Sequence, residues 1–238
     1  PPFAEHFRVI TADYPGFGLS DDPSDGDYSP GAHSRAVGEL VDHLGLDNMI
    51  VFGTDWGGPI GFDIASRRAD RVAALVMGNT FYWPQTATPI RLFSKTFGTG
   101  LMRRLIEKHH FMVKVAMKQM LATKPSAAEW AHYVDVAPTP QRRKGMAILP
   151  GAVLEAREWL AELETRVDSN LADRPLLLFN GPRDPALGTK KMVIEWKARF
   201  PHLELAPLPG AGHFYCEDQP DAVIAKVLAV FTDNQKTN

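Results

Sequence analysis

The sequence predicts an α/β fold: a mostly parallel sheet flanked by helices, with an inserted helical cap. Short apolar runs typical of buried strands alternate with helical patterns. One run turns through a glycine-rich segment directly into a helix, and residues 85–150 contain helical patterns without a convincing strand. We therefore expect a core formed by residues 1–84 and 151–238 and a cap formed by residues 85–150.

Length and composition narrow the class of protein. The 238 residues, 45% of them hydrophobic, suffice for one substantial core with an inserted lobe. The net charge of −2 gives no electrostatic reason to expect binding to nucleic acid or to an anionic membrane. No stretch resembles a membrane span, and Pro1-Pro2 opens no signal peptide. With Cys216 as its single cysteine, the chain is expected to be a soluble cytoplasmic protein.

The core elements follow from hydrophobic periodicity and from turn residues. In chain order, the sequence predicts strands at residues 7–12, 48–52, 72–77, 175–180 and 203–208, and helices at residues 31–46, 59–65, 152–164, 189–200 and 220–231. Alternation of this kind implies parallel strands, whose carboxyl ends meet at one edge of the sheet. Ligand sites of open α/β sheets lie at that edge.

The cap sequence carries a cationic helix and no metal-binding pattern. Residues 101–120 place five Lys and Arg residues around apolar side chains, as in a membrane-surface or partner-binding helix. A solvated cap face is the simpler interpretation, because the whole chain is slightly acidic. His109 and His110 are adjacent and would point about 100° apart on a helix. We find no zinc-ligand spacing, P-loop or dinucleotide fingerprint, and expect neither metal nor cofactor.

The run 48–52 leads into Gly53-Thr54-Asp55-Trp56-Gly57-Gly58 and then into a helix. A sharp strand-to-helix turn through Gly-x-Asp-x-Gly has the layout of a nucleophile elbow, with aspartate in place of the commoner serine. Glycines are needed because the turn brings two backbones close together and strains the central residue. Asp55 would sit at the helix start, which favours negative charge. A carboxylate there suits attack on carbon, although aspartate between glycines is also an ordinary turn residue.

Two further residues follow predicted strands. Asp184 comes after the strand at 175–180, and His213 comes after the strand at 203–208. Each alone reads as an ordinary loop residue. Together with Asp55 they give the order nucleophile, acid, histidine at one sheet edge, which is the chain order of α/β-hydrolase triads.

With these residues in place, the sequence resembles the haloalkane dehalogenases over nearly its whole length. The resemblance rests on four segments: residues 13–20 (DYPGFGLS), 55–59 (DWGGP), 78–84 (GNTFYWP) and 212–214 (GHF). It implies the α/β-hydrolase fold and hydrolysis of small hydrophobic haloalkanes to alcohol and halide through an ester on Asp55. By position, Trp56 would bind the halide, His213 would be the base and Asp184 would orient it. Trp83 is a candidate second halide donor, with a core or pocket-lining aromatic as the simpler interpretation.

Part of the family pattern is missing from this sequence. Its members have further strands and a His-Gly-Asn-Pro loop before the segment matching residues 7–12, and these are absent from this sequence. The loop supplies a second halide donor and a second oxyanion N–H, and one of the strands lies between the segment at 7–12 and the elbow strand. We therefore expect an apolar, unpaired sheet edge and slower turnover, because one oxyanion donor is missing.

Two alternatives stay open. An epoxide hydrolase would share the triad and Trp56, but it needs acidic hydroxyls, usually two cap tyrosines, and only Tyr82 and Tyr133 lie near or in the cap. An inactive fragment or a non-catalytic binding protein of the same fold is the second alternative.

Overall fold

A computed structural model describes residues 1–232 of the chain. It has the predicted α/β architecture, with four strands and eleven α-helices among these residues. The strands are β1 (Met49–Asp55), β2 (Val72–Thr80), β3 (Leu176–Asn180) and β4 (Glu204–Pro207). The helices are α1 (Pro30–His43), α2 (Gly57–Ser66), α3 (Thr88–Phe97), α4 (Gly100–His109), α5 (Lys118–Met120), α6 (Ala127–Asp135), α7 (Lys144–Glu155), α8 (Arg157–Asn170), α9 (Lys190–Arg199), α10 (Tyr215–Asp218) and α11 (Pro220–Thr232). Short 3₁₀ helices lie at Pro2–Glu5, Ala69–Arg71 and Gln141–Arg143, and a π-helix lies at Met112–Met117.

All four strands are parallel, in the spatial order β1-β2-β3-β4. Asp55 pairs with Thr80, and Asn180 pairs with Pro207. The carboxyl ends of the strands therefore meet at one edge of the sheet, where the sequence places the chemistry.

The two faces of the sheet are covered by different helices. Leu75 and Met77 of β2 join the larger apolar cluster, which includes residues of α2, α8 and α9. Val76, between them, faces the opposite side and joins the cluster that includes α11. This alternation is what a strand buried on both faces requires.

The predicted strand at residues 7–12 is wrong. The segment has no regular secondary structure and pairs with no strand among the described residues. A cleft of about 1300 Å³, lined by this segment and by β1, separates the two. Strands pair at about 4.8 Å, so a β-prone run across such a cleft cannot join the sheet. The outer edge of β1 is accordingly open, and Phe52 on it is partly exposed.

Helix boundaries in the second half also differ from prediction. The sequence predicts a single helix at 152–164. In the structure, α7 already begins at Lys144, and the helix is interrupted at Ala156 before α8 begins. Pro150 lies inside α7 and does not end it. The predicted boundary between cap and core therefore falls within a helix, and the division into two parts stays a prediction. Residues 233–238 of the predicted core lie outside the described residues.

The cap contacts the loop that follows residue 12. Arg142 donates to the carbonyls of Gly18 and Ser20, and Gln141 donates to Asp22 at 2.9 Å.

Within residues 1–232, no helix has the length and apolarity needed to cross a membrane.

Candidate active site

The elbow is built as the glycine pattern predicts. Asp55 ends β1 with φ at 46°, in the left-handed region, and α2 begins two residues later. A Cβ on Gly53 would lie 2.6 Å from the Gly57 carbonyl oxygen, and one on Gly58 would overlap the Thr80 hydroxyl. That hydroxyl donates to the Asp55 carbonyl at 2.6 Å. The close approach of strand, helix and Thr80 therefore fixes the strained turn.

The carboxylate of Asp55 lies at the amino-terminal end of α2. No side chain caps this helix, so its first N–H groups lack the usual partner and carry a partial positive charge. The Asp55 side chain is 49% exposed. An acceptor-only group is thus held at a positive helix end with a face open to an incoming molecule.

His213 lies between two carboxylates. Its Nδ1 is 2.7 Å from Oδ2 of Asp184, and its Nε2 is 3.8 Å from Oδ2 of Asp55. The other oxygen of Asp184 accepts from the N–H groups of Ala186 and Leu187 at 2.8 and 3.0 Å. Asp184 and His213 are both buried. The structure therefore brings the three predicted residues together, with Asp184 fixed from behind.

The pKa values of the buried pair reflect this arrangement. Burial lowers the pKa of His213, but the hydrogen bond to Asp184 and the negative charges of Asp184 and Asp55 outweigh it, so the pKa is raised. Burial raises the pKa of Asp184, but the hydrogen bond and charge of His213 and the two backbone N–H groups outweigh it, so the pKa is lowered. An imidazolium flanked by two carboxylates is the state that this arrangement favours.

Asn79 ties together the loops that carry the acid and the histidine. It is buried at the end of β2 with φ at 39°. Its amide donates to the Gly212 carbonyl at 2.8 Å and accepts from the Gly181 N–H at 3.0 Å. No role was predicted for Asn79 from the sequence, although its position just past the predicted strand at 72–77 was a usable signal.

A second clamp joins the histidine loop to the cap. Asp218 accepts from the Gly212 N–H at 2.7 Å and from the N–H groups of Ala122 and Thr123 at 2.9 and 2.7 Å. The His213 N–H donates to the Met120 carbonyl at 3.2 Å. The position of His213 therefore depends on the cap segment after α5.

Trp56, the residue after Asp55, is buried with its indole directed to the cap. Its Nε1–H donates to the carbonyl of Leu149 in α7 at 3.0 Å, and its ring packs edge-on against Phe81. The N–H predicted to bind halide thus has a backbone acceptor. A halide at Trp56 must take the place of that carbonyl, a contact that sequence reasoning had no means of finding.

Trp83, the candidate second halide donor, has its indole N–H engaged within the protein. Its Nε1–H donates to Glu195 of α9 at 3.0 Å, and the guanidinium of Arg199 lies 4.2 Å from the ring centroid. The ring also packs on Trp196. A partly exposed carboxylate accepts from this indole N–H, which favours the simpler structural role for Trp83.

Tyrosines divide into two groups around the site. Tyr82 donates to Asp168 at 2.9 Å, and burial, with the charge of Glu217 adding, raises the pKa of Tyr133. Tyr14, to which we had assigned no role, places its hydroxyl 3.8 Å from where a Cβ on Gly57 would stand. Burial, with the charge of Asp55 adding, raises the pKa of Tyr14 to about 12. A protonated phenol therefore stands beside the elbow.

Other candidate chemistry is limited. Among residues 1–232, no group of three or more His, Cys, Asp or Glu side chains is placed to hold a metal ion. Burial, with Glu217 adding, raises the pKa of the Cys216 thiol to about 11. Burial is the larger of the two causes. The thiol stays protonated at neutral pH.

Comparisons with known proteins agree with this geometry. The chain matches the family described as alpha/beta hydrolase fold over residues 1–220. Haloalkane dehalogenase 2 of Mycobacterium tuberculosis (strain ATCC 25618 / H37Rv) is 39% identical over 227 residues, which cover 95% of this chain and 79% of that protein. The soluble epoxide hydrolase of Corynebacterium sp. (strain C12) is 27% identical over 255 residues, covering 97% of this chain and 83% of that protein.

A solved structure shows the same fold. Haloalkane dehalogenase DbeA from Bradyrhizobium elkani USDA94 matches with a TM-score of 0.84 at 23% identity, covering 95% of this chain and 81% of that chain. The fold follows from the structural match, and the narrower assignment follows from the 39% identity over almost the whole chain. The chain belongs to the haloalkane dehalogenases of the α/β-hydrolase fold family.

Proposed function

We propose that this protein hydrolyses haloalkanes to an alcohol and a halide ion through an ester on Asp55. The observation that carries the proposal is a carboxylate, rather than a hydroxyl, at the tip of the elbow, with Nε2 of His213 3.8 Å away. A carboxylate attacks an alkyl carbon directly and needs no base to activate it. The substrate is a small hydrophobic halogenated molecule.

In the first step, an oxygen of Asp55 attacks the carbon that bears the halogen. The new C–O bond forms as the carbon–halogen bond breaks, and the halide leaves with the bonding electrons. The Trp56 indole N–H exchanges the Leu149 carbonyl for this halide, because a hydrogen bond to an anion is stronger than one to a neutral carbonyl. Trp83 has no part in this step, since Glu195 holds its N–H.

In the second step, water attacks the carbonyl carbon of the ester while His213 takes a proton from it. Esterification has by then removed the charge of Asp55, one of the two anions that raise the pKa of His213. The imidazole pKa falls when a neutral base is required, and Asp184 keeps the ring in place through Nδ1. Collapse of the tetrahedral intermediate breaks the bond to the alkoxide, which takes the proton back from His213 and leaves as the alcohol. The acid proton of Asp55 then passes to the imidazole, which restores the carboxylate.

The charge that develops on the ester oxygen in this step needs hydrogen-bond donors. The uncapped amino-terminal N–H groups of α2, next to Asp55 in the chain, are suited to that role. The backbone N–H of Trp56 is the donor we propose. No step of this sequence requires a cofactor or a metal ion.

Epoxide hydrolysis is the weaker alternative. It requires acidic hydroxyls that protonate the departing oxygen, and Tyr82 and Tyr133 were the candidates. Tyr82 is engaged with Asp168, and burial with the charge of Glu217 raises the pKa of Tyr133, which makes it a weaker acid. The preserved contacts of His213 with Asp184 and Asp55 speak against a non-catalytic binding protein. A cytoplasmic location completes the proposal, supported by the single cysteine.

Bromide release tests the proposal. Purified protein is incubated with 1-bromobutane or 1,2-dibromoethane, beside Asp55→Ala and the matched surface variant Asp47→Ala. We expect release by the wild type and by Asp47→Ala, and none by Asp55→Ala. Hydrolysis of an epoxide such as styrene oxide without bromide release would instead establish the alternative.

A further inference from the structure

The slight negative charge of the whole chain conceals a strong segregation of charge. Residues 85–150 contain eleven Lys and Arg residues but only three Asp and Glu residues, a formal charge of +8. The rest of the chain therefore carries −10. An average over the chain hides a basic cap on an acidic core, and it is the local charge that an approaching partner meets.

Helices α3 and α4 lie against α7 in the cap, and Ile90 near the start of α3 also joins the larger apolar cluster. Both pack on α7: Ser94 of α3 donates to the Gly151 carbonyl at 3.0 Å, and Arg103 of α4 pairs with Glu155. On its core side, α7 accepts the Trp56 indole N–H through Leu149. The faces of α3 and α4 opposite α7 are therefore directed outward.

This outer cap face combines exposed apolar and cationic side chains. We define it by Leu92 and Lys95 on α3 and by Leu101, Arg104 and Lys108 on α4. Leu92 is 63% exposed and Leu101 is 70% exposed, and the three cations are exposed as well. The spacings i, i+3 on α3 and i, i+3, i+7 on α4 place each set on one side of its helix.

The cations of the outer cap face are free to meet a partner. Arg103, on the inner side of α4, is paired with Glu155. Within residues 1–232, by contrast, Lys95, Arg104 and Lys108 form no ion pair. Two large leucines exposed among unpaired cations are typical of a surface helix that lies in the interface of an anionic bilayer.

We propose that the outer cap face docks on an anionic lipid surface. Leu92 and Leu101 enter the boundary between head groups and acyl chains, while Lys95, Arg104 and Lys108 contact the lipid phosphates. The +8 charge of the cap opposes pairing of two caps with each other, which disfavours a second copy in that arrangement. Docking requires no turnover, so the proposal stands or falls independently of the dehalogenation chemistry.

Vesicle flotation with the full chain tests the proposal. Vesicles of equimolar phosphatidylcholine and phosphatidylglycerol are compared with vesicles of phosphatidylcholine alone. We expect binding to the anionic vesicles only, and its loss in about 1 M salt, where the Debye length is about 3 Å. Reversing one charge with Arg104→Glu should weaken binding about tenfold or more, and Leu101→Ser should weaken it further.

The matched control lies on α9 of the core. Ile194, 67% exposed, and the exposed Lys197 repeat the i, i+3 pattern away from the cap. Ile194→Ser with Lys197→Glu should leave vesicle binding unchanged, and thermal melts should show that all variants fold. No binding to anionic vesicles, or equal losses from the cap and α9 variants, overturns the proposal. Self-association in light scattering that Leu101→Ser abolishes, without vesicle binding, assigns the face to a second copy.

Discussion

Nε2 of His213 lies 3.8 Å from Oδ2 of Asp55, beyond hydrogen-bond length but close enough for each charge to affect the other. On its opposite side the imidazole is held at 2.7 Å by Asp184. The histidine is thus firmly attached to one carboxylate and only near the other. That asymmetry matches a division of labour in which Asp184 orients the ring and Asp55 is free to react.

The charge of Asp55 should be measurable in the titration of His213. Because Asp55 helps to raise the pKa of His213, Asp55→Asn should lower it, as read from imidazole shifts in NMR titrations. A raised native pKa stabilises the fold below the unfolded value of about 6.5, and this contribution is lost as pH rises through the native value. Asp55→Asn should therefore reduce that stabilisation at low pH. An unchanged pKa in Asp55→Asn would contradict the arrangement.

Two neighbouring glycines should differ in their tolerance of a side chain. Gly58→Ala places a methyl group on the Thr80 hydroxyl, which holds the Asp55 carbonyl. Overpacking of this kind costs about 1–3 kcal/mol, and activity should fall with the displaced elbow. Gly57→Ala meets only the Tyr14 hydroxyl at 3.8 Å and should fold and react nearly as the wild type does. Denaturant unfolding and bromide release check both variants, and equal effects would refute the account of the turn.

Asn79 should matter for both stability and activity. Asn79→Ala leaves the buried N–H of Gly181 and the carbonyl of Gly212 without this partner, at a cost of about 1–3 kcal/mol. For a chain of this size each kcal/mol lowers the Tm by about 2–4 °C. Asn170→Ala is the control, because Asn170 bonds to the Ser66 carbonyl away from the site. It should be destabilised without a specific loss of kcat, whereas Asn79→Ala should lose kcat at temperatures where it is fully folded.

Trp56 and Trp83 should contribute unequally to halide binding. Trp56→Phe removes the N–H that we assign to the halide, and bromide inhibition of the reaction should weaken by about tenfold or more. Trp83→Phe removes an N–H that Glu195 already holds, so bromide inhibition should stay within about twofold of wild type. Weakened inhibition in Trp83→Phe alone would reverse the assignment.

Much of the fold was predictable because local pattern and tertiary environment agree. The apolar run at residues 175–180 became β3 and the helical period at 189–200 became α9. The prediction of a strand at residues 7–12 was wrong because a strand needs a neighbouring strand to pair with, and the local sequence does not show whether one is present. The predicted boundary between cap and core falls at Pro150, but α7 continues through this residue and packs against α3 and α4.

Part of the site was also predictable from the sequence. Asp55, Asp184 and His213 follow strands, and parallel strands end at one edge, so sequence order alone brings them together. The partners of Trp56 and Trp83 come from Leu149 and Glu195, far away in the chain. Such contacts depend on how cap and core pack, and the residue type of a tryptophan does not reveal them.

Covalent capture of the intermediate tests the central claim most directly. His213→Gln is mixed with 1-bromobutane, and the intact mass and the peptide containing Asp55 are measured. The account predicts one butyl group on Asp55, accumulating because water activation is slow, with bromide released in a single stoichiometric burst. Asp55→Ala with His213→Gln should carry no adduct. An unmodified Asp55 peptide, or a butyl group on another residue, would contradict the claim that Asp55 is the nucleophile.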